Sequence, residues 1–431
     1  METQSTEPSA TSLAPPRGRF DIFRTLGPGL ITGAADDDPS GIATYSQVGA
    51  QFGYALGWTM LFSYPLMAVT QGISAGIGAV TGQGIACNLR RHYSPWLLRF
   101  AVLLLLVANI VNIGADLSAM GEALGLLTGT AHRLYALLFA LACIALEIFV
   151  SYRRYVTVLK WLTLSLLSYV AVVLSVHVPW GAALYGALVP RMVFDGDHAM
   201  ALVAVLGTTI SPYLFFWQAG EEVEELHRQK RRRLGANPHA AGPELARIRT
   251  DTLFGMGFSN LVAMVIIIAT AATLHANGIT QIQTSSQAAE ALRPVAGEFA
   301  FAIFAIGIIG TGMLAVPVLA GSAAYAVAEM FEWPEGLDRR PREAKAFYGV
   351  IAVATLGGLT LTFVGLDPIP ALYWSAVVNG ILAAPLMAIM MMIATNPRIM
   401  GHLTLPRWMA LGGAVATVVM ALASIGFFVL L

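Results

Sequence analysis

Charge is scarce in this sequence. Only 12% of its 431 residues are Asp, Glu, Lys or Arg, and the signs balance at 25 each. Soluble domains carry about 25% charged residues, so the composition argues against a water-soluble enzyme. Zero net charge gives no support to a nucleic-acid partner. Cysteine is scarcer: Cys87 and Cys143 lie far apart and build neither a disulfide framework nor a zinc site. The eight histidines (His92, His132, His177, His198, His227, His239, His275 and His402) fall in loops or near the ends of apolar runs. No histidine proton relay is therefore available in the middle of those runs. The runs also lack a His–Glu metal motif or a Ser/His pair, which excludes an intramembrane enzyme. They do not alternate over ten-residue segments, which excludes a membrane β-barrel.

Apolar residues, in contrast, make up 57% of the chain, and its mean hydropathy is +0.69. About 20 apolar residues cross a bilayer, so the length accommodates about eleven spans. Apolar runs fall near 26–48, 54–80, 97–120, 134–151, 157–176, 199–219, 252–275, 297–325, 347–365, 370–394 and 407–430. Residues 1–19, rich in Ser, Thr, Pro and Ala, read as a disordered cytoplasmic tail, and 20–431 as one transmembrane domain. With the N-terminus placed in the cytoplasm, 22 of the 25 cations fall inside; only Arg133, Arg191 and Arg293 fall outside. That asymmetry fits the positive-inside rule and puts the C-terminus outside a plasma or inner membrane.

Two runs are interrupted. The first contains Asp36-Asp37-Asp38-Pro39-Ser40-Gly41, and the sixth Thr208-Thr209-Ile210-Ser211-Pro212-Tyr213. Proline removes a backbone donor, and three carboxylates cannot face lipid. Non-helical backbone at that depth is tolerated only where it lines a protected cavity. The two prolines are 173 residues apart, and each opens a group of about five spans. This is the pattern of an inverted 5+5 repeat (about 26–176 and 199–394, with an extra helix at 407–430) whose first and sixth helices are discontinuous. Carboxylates beside freed carbonyls make a hard, oxygen-lined site suited to a divalent cation. Asp116, on one helix face with Asn109 and Asn112, is a candidate for the ion route, and Asn379 is another. The acidic run Glu221–Glu225 reads as a solvated helix end, or more sharply as an anionic mouth, and 226–251 as an unstructured basic connector.

The stretches GPGLITGAADDDPSG and GAQFGY near the start, and NGILAAPLMAIMMMIATNPRIMG from Asn379 to Gly401, resemble the NRAMP family of divalent-metal transporters. The resemblance implies an all-α, LeuT-like fold of eleven spans and proton-coupled carriage of Mn²⁺ and Fe²⁺. It implies metal ligands in Asp-Pro-Gly-Asn on the first helix and Met-Pro-His on the sixth. Here Asp38 and Pro39 match; Ser40 replaces the Gly and Gly41 the Asn ligand. Ser211 replaces the Met ligand and Tyr213 the His, while Thr208 holds the position whose carbonyl meets the metal. The family's Asp-Leu-Ala-Glu reads Asp116-Leu117-Ser118-Ala119, so its glutamate is lost. This pattern is similar to the NRAMP-related magnesium transporters.

Physical chemistry points the same way. A thioether favours softer metals, and Ser211 removes it. Mg²⁺ keeps several waters and needs only one or two carboxylates, and the small Gly41 and Ser211 are expected to leave room for those waters. The expectation is thus a divalent-cation transporter, Mg²⁺ favoured and Mn²⁺ accepted, uncoupled from protons, with the ion as cargo and no resident cofactor. Its metal residues are Asp38, Asp37, Gly41, Thr208 and Ser211; Asp36, Asp116, Tyr213 and Asn379 line the ion route. The alternatives are a proton-coupled Mn²⁺/Fe²⁺ transporter and a LeuT-fold amino-acid or organic-solute carrier.

Overall fold

The computed structural model describes residues 32–33, 35–129, 132–150, 162–229, 231–236, 238–365 and 367–431. The N-terminal tail, the Gly27-Pro28-Gly29 motif and the basic residues Arg153, Arg154, Lys160 and Lys230 lie outside the described residues. Every described element is helical.

Over its described residues, each of the eleven apolar runs coincides largely with helix. The first is broken, with helical residues at 32–33 and 35–36 followed by α1 (Pro39–Phe52). Then come α2 (Trp58–Thr81), the short α3 (Ile85–His92), α4 (Pro95–Thr128), α5 (His132–Phe149) and α6 (Leu167–Ser175). A further short helix, α7 (Trp180–Leu188), was not expected from the sequence; it is too short to span and too apolar to read as loop. The sixth run divides into α8 (Gly196–Thr209) and α9 (Pro212–Arg228). The second half holds α10 (Pro238–Thr273), α11 (Ala300–Phe331), α12 (Lys345–Leu361), α13 (Pro368–Ala394) and α14 (Arg407–Leu430).

Seven helical stretches among the described residues are long and apolar enough to cross a membrane. Their outer faces fit lipid: Leu103, Val107, Leu411, Leu422 and Phe428 are all exposed. Lipid tails are as apolar as these side chains, so helix association rests on close packing and small residues instead. α4 packs against α5, α11, α12 and α13, and α8 against α13. At the last crossing Gly207 meets Gly380: a methyl group on Gly207 would overlap the Ala376 carbonyl and the Gly380 backbone. Those two glycines are the chain neighbours of Thr208 and Asn379, so two candidate site residues lie on the helices that this crossing joins.

Two expectations about the segment that follows the sixth run need correction. The run Glu221–Glu225 is not a solvated helix end, because Glu221 and Glu222 are buried and Glu224 accepts hydrogen bonds from Tyr325 Oη and the Leu337 amide. The connector 226–251 is not unstructured. α10 begins at Pro238, and Glu244 fastens its first turns by pairing with Arg247 and Arg231, both at 2.8 Å. Local i,i+3 pairing of this kind gives a charged segment a helical conformation.

Candidate functional site

Both helix breaks follow from proline chemistry. Pro39 and Pro212 occupy the first turns of α1 and α9, where a missing N–H costs nothing. Asp38 is the N-cap of α1, with φ −74° and ψ 170°. Its Oδ1 accepts from the Gly41 amide and from Ser40 Oγ, each at 2.7 Å. Ser211 takes the equivalent place before α9 but does not cap it. Its hydroxyl turns back onto the end of α8, 2.9 Å from the carbonyls of both Gly207 and Thr208. A carbonyl has two lone pairs, so Thr208 keeps one free.

From Asp38 a polar chain crosses to α4 and α13. Asn112 Nδ2 donates to Asp38 Oδ2 at 2.9 Å and lies 3.5 Å from Asp116 Oδ2. Asn379 Nδ2 donates to Asn112 Oδ1 at 3.3 Å. Asp38, Asn112, Asp116 and Asn379 are all buried, none more than 1% exposed. Asp116 Oδ1 and Asn379 Oδ1 have no hydrogen-bond partner. Buried oxygens left without partners are costly in a folded protein and mark a place where something else completes them. Asn112 links the cluster. The sequence showed it only as a neighbour of Asp116, although polar residues one turn apart within an apolar helix were the available signal.

Asp36 and Asp37 do not join this cluster. They face α10, where Ser259 Oγ lies 2.6 Å from Asp36 Oδ2 and 2.9 Å from Asp37 Oδ1. Sequence reasoning passed over Ser259; its signal was the polar pair Ser259-Asn260 inside an apolar run. Among the described residues no three His, Cys, Asp or Glu side chains group to hold a metal ion. A single-carboxylate site at Asp38, completed by amide and backbone oxygens, is the arrangement these residues offer. None of the four buried carboxylates forms an ion pair with a described Lys, Arg or His. Any negative charge these carboxylates carry is thus left for something other than a described cationic side chain to balance.

The other candidates are placed as follows. Tyr213 Oη donates to the Ala35 carbonyl at 3.1 Å, so it ties the broken first helix to α9. Thr32 bonds Gln218 across the same two segments. Gly41 does not open as much space as expected. A Cβ there would lie 3.1 Å from Thr208 Oγ1 and 3.3 Å from the Tyr45 ring, because those side chains fill the room a small residue leaves. One sulfur lies near the break on another side: Met120 packs where Gly312 meets Pro39.

The comparisons can be set beside this geometry. The family model described as "Natural resistance-associated macrophage protein-like" matches residues 29–430. A divalent metal cation transporter MntH of Klebsiella pneumoniae subsp. pneumoniae is 27% identical over 408 residues, covering 92% of each chain. One from Deinococcus radiodurans is 25% identical over 422 residues, covering 95% of this chain and 90% of its own. Among solved structures, the Eremococcus coleocola manganese transporter, in complex with an aromatic bis-isothiourea substituted compound, superposes with a TM-score of 0.74 at 16% identity. That match covers 96% of this chain and 89% of the other. Mhp1, a nucleobase-cation-symport-1 family transporter, follows at a TM-score of 0.52, 15% identity and coverage of 94% and 90%. The fold is all-α and LeuT-like, as the sequence led one to expect.

Proposed function

This chain belongs to the natural resistance-associated macrophage protein-like family, and from that premise we propose that it carries divalent metal cations across a membrane, Mg²⁺ in preference and Mn²⁺ as an accepted substrate, without obligatory proton coupling. The observation that carries this reading is the oxygen-only chemistry of Asp38, Asn112, Asp116 and Asn379, with a serine hydroxyl at Ser211 where a thioether would favour softer ions. The matched bacterial relatives are named divalent metal cation transporters, which supports the cargo class. Amide and carboxylate oxygens suit an ion that retains part of its water shell. The protein resides in the plasma or inner membrane, N-terminus inside and C-terminus outside; Asp37 and Asp36 lie beside the ion's path on the α10 side.

One observation favours the proton-coupled alternative. A hydroxyl has a single hydrogen, yet Ser259 Oγ meets two carboxyl groups within 2.9 Å. One contact is then completed by a proton on Asp36 or Asp37, or by a cation. Proteoliposomes with an internal pH dye, an imposed Mg²⁺ or Mn²⁺ gradient and a clamped potential separate the readings. The expected outcome is metal influx that follows voltage and concentration, without acidification beyond that of protein-free vesicles. Metal-dependent acidification returns the function to proton-coupled uptake.

Selectivity provides a second test. Wild-type protein should bind Mg²⁺ and show no strong preference for Cd²⁺. Ser211→Met should raise the Cd²⁺-to-Mg²⁺ binding ratio about tenfold or more, since it adds a soft ligand. Met120→Leu is the control and should leave the wild-type ratio unchanged. Strong Cd²⁺ binding with no response to Mg²⁺ in the wild type, measured by calorimetry, would refute the magnesium reading.

A further inference from the structure

On the membrane-facing side a groove of about 660 Å³ runs between α2, α8 and α14. That lies within the roughly 300–1,000 Å³ typical of small-molecule sites. Its wall is almost wholly apolar: Phe62, Leu202 and Leu422 are typical, and Leu206 forms the inner end one residue before Gly207. Two hydroxyls of α2, Thr59 and Ser63, interrupt it, and the ionisable exceptions, Arg191 and His198, lie where α8 begins. His198 Nδ1 is engaged by Asp195 at 2.8 Å. Arg191 is different. It forms no ion pair among the described residues, and its described contact is with the face of Tyr185, 4.8 Å from guanidinium carbon to ring centroid.

The surroundings fix the depth of this mouth in a bilayer. α7 ends just before it and exposes Trp180, Leu184, Tyr185 and Leu188, followed by Met192, Val193 and Phe194. A short helix presenting aromatic and apolar side chains at the ends of spanning helices belongs at the interface between headgroups and tails. Arg191 thus stands at phosphate level, and the apolar groove descends from it along the hydrocarbon. One cation above one apolar trough is complementary to a single molecule of the membrane, with a phosphate at one end and acyl chains below.

We propose that this groove is a binding site for an anionic glycerophospholipid of the surrounding leaflet, its phosphate, uncancelled by any headgroup cation, held by Arg191 and an acyl chain seated between α2, α8 and α14. The lipid abuts the helix that ends at Thr209, so it bears on the element that shapes the break. Gly426 marks the depth of the seat: it lines the groove, and a Cβ there would meet nothing within 4 Å.

Trp58 lines the groove and provides the probe. The full chain is reconstituted in phosphatidylcholine bilayers containing increasing proportions of phosphatidylglycerol with brominated acyl chains, and fluorescence quenching is read against Trp58→Phe to isolate Trp58. The expected result is quenching that saturates while the brominated lipid is still a minor component. Arg191→Gln should abolish the saturable phase, and so should Gly426→Phe, which fills the trough from α14. Brominated diacylglycerol, which lacks the phosphate, should give none. Quenching that rises in proportion to bulk lipid, equal in wild type and Arg191→Gln, overturns the proposal. Saturable quenching by the diacylglycerol equally overturns the phosphate contact. Arg191 is exposed and a side chain at Gly426 enters open space, and far-ultraviolet circular dichroism confirms that each variant is folded.

Discussion

Replacing Asp38 by Asn should abolish divalent-cation binding and reduce uptake roughly 100-fold or more. That figure starts from the upper end of what loss of a supporting partner costs a metal site. The substitution is chosen because it separates charge from structure. Asparagine is as good an N-cap as aspartate, so it still accepts from the Gly41 amide, and α1 keeps the roughly 1 kcal/mol that a cap supplies. What disappears is the one carboxylate that lies both at the break and on Asn112. Asp116 would remain, but it is reached only through Asn112, at 3.5 Å. The check is Mn²⁺ uptake into dye-loaded proteoliposomes alongside calorimetric titration with Mg²⁺ and Mn²⁺. Wild-type flux in a folded Asp38→Asn protein would remove Asp38 from the ion's path.

The second large effect is expected at a residue that touches no ion. Gly207→Ala adds one methyl group where α8 crosses α13, against the Ala376 carbonyl and the Gly380 backbone. Backbone cannot move aside as a flexible side chain would, so the two helices must separate. Overpacking of this kind costs about 1–3 kcal/mol and sometimes more. The displacement also shifts Thr208 and Asn379, the immediate neighbours of Gly207 and Gly380, so uptake should fall together with thermal stability. Gly349→Ala, in α12 with open space around its Cβ, is the matched control and should be neutral or slightly stabilising. Thermal unfolding monitored by size-exclusion recovery reads the difference. Equal melting of the two variants would show that the crossing is looser than its geometry implies.

These two residues also mark what was legible in the sequence. Asp38 could be read because three acids and a proline inside an apolar run contradict lipid exposure outright. The same contradiction located Pro212 and, through them, both discontinuous helices. Asn112 and Ser259 were harder to read, since single polar residues in a helix have no direction until the helix is packed. Gly207 was not legible at all as a site determinant. The chain holds 42 glycines, and only the crossing shows which of them must lack a side chain. Burial of Glu221 and Glu222 was hidden for a related reason: the elements that cover them are distant in sequence. The helix that begins at Pro238 within 226–251 failed to register because charge density was taken as disorder, while Glu244 between Arg231 and Arg247 stabilises a turn.

The tethers across the broken helices have a consequence for the order of events in a transport cycle. Thr32 holds Gln218 and Tyr213 holds the Ala35 carbonyl, so residues 32–36 are latched to α9 a few residues before Asp38. An opening that carries Thr32 and Ala35 away from α9 would break both bonds. The same movement pulls on the peptide that aims the Asp38 carboxylate. Grip on the ion and closure of the latch are therefore one thermodynamic variable: whatever strengthens one strengthens the other by the same free energy. An ion bound at Asp38 makes the latch harder to open, and a loosened latch weakens hold on the ion, so unlatching and release proceed as a single concerted stroke.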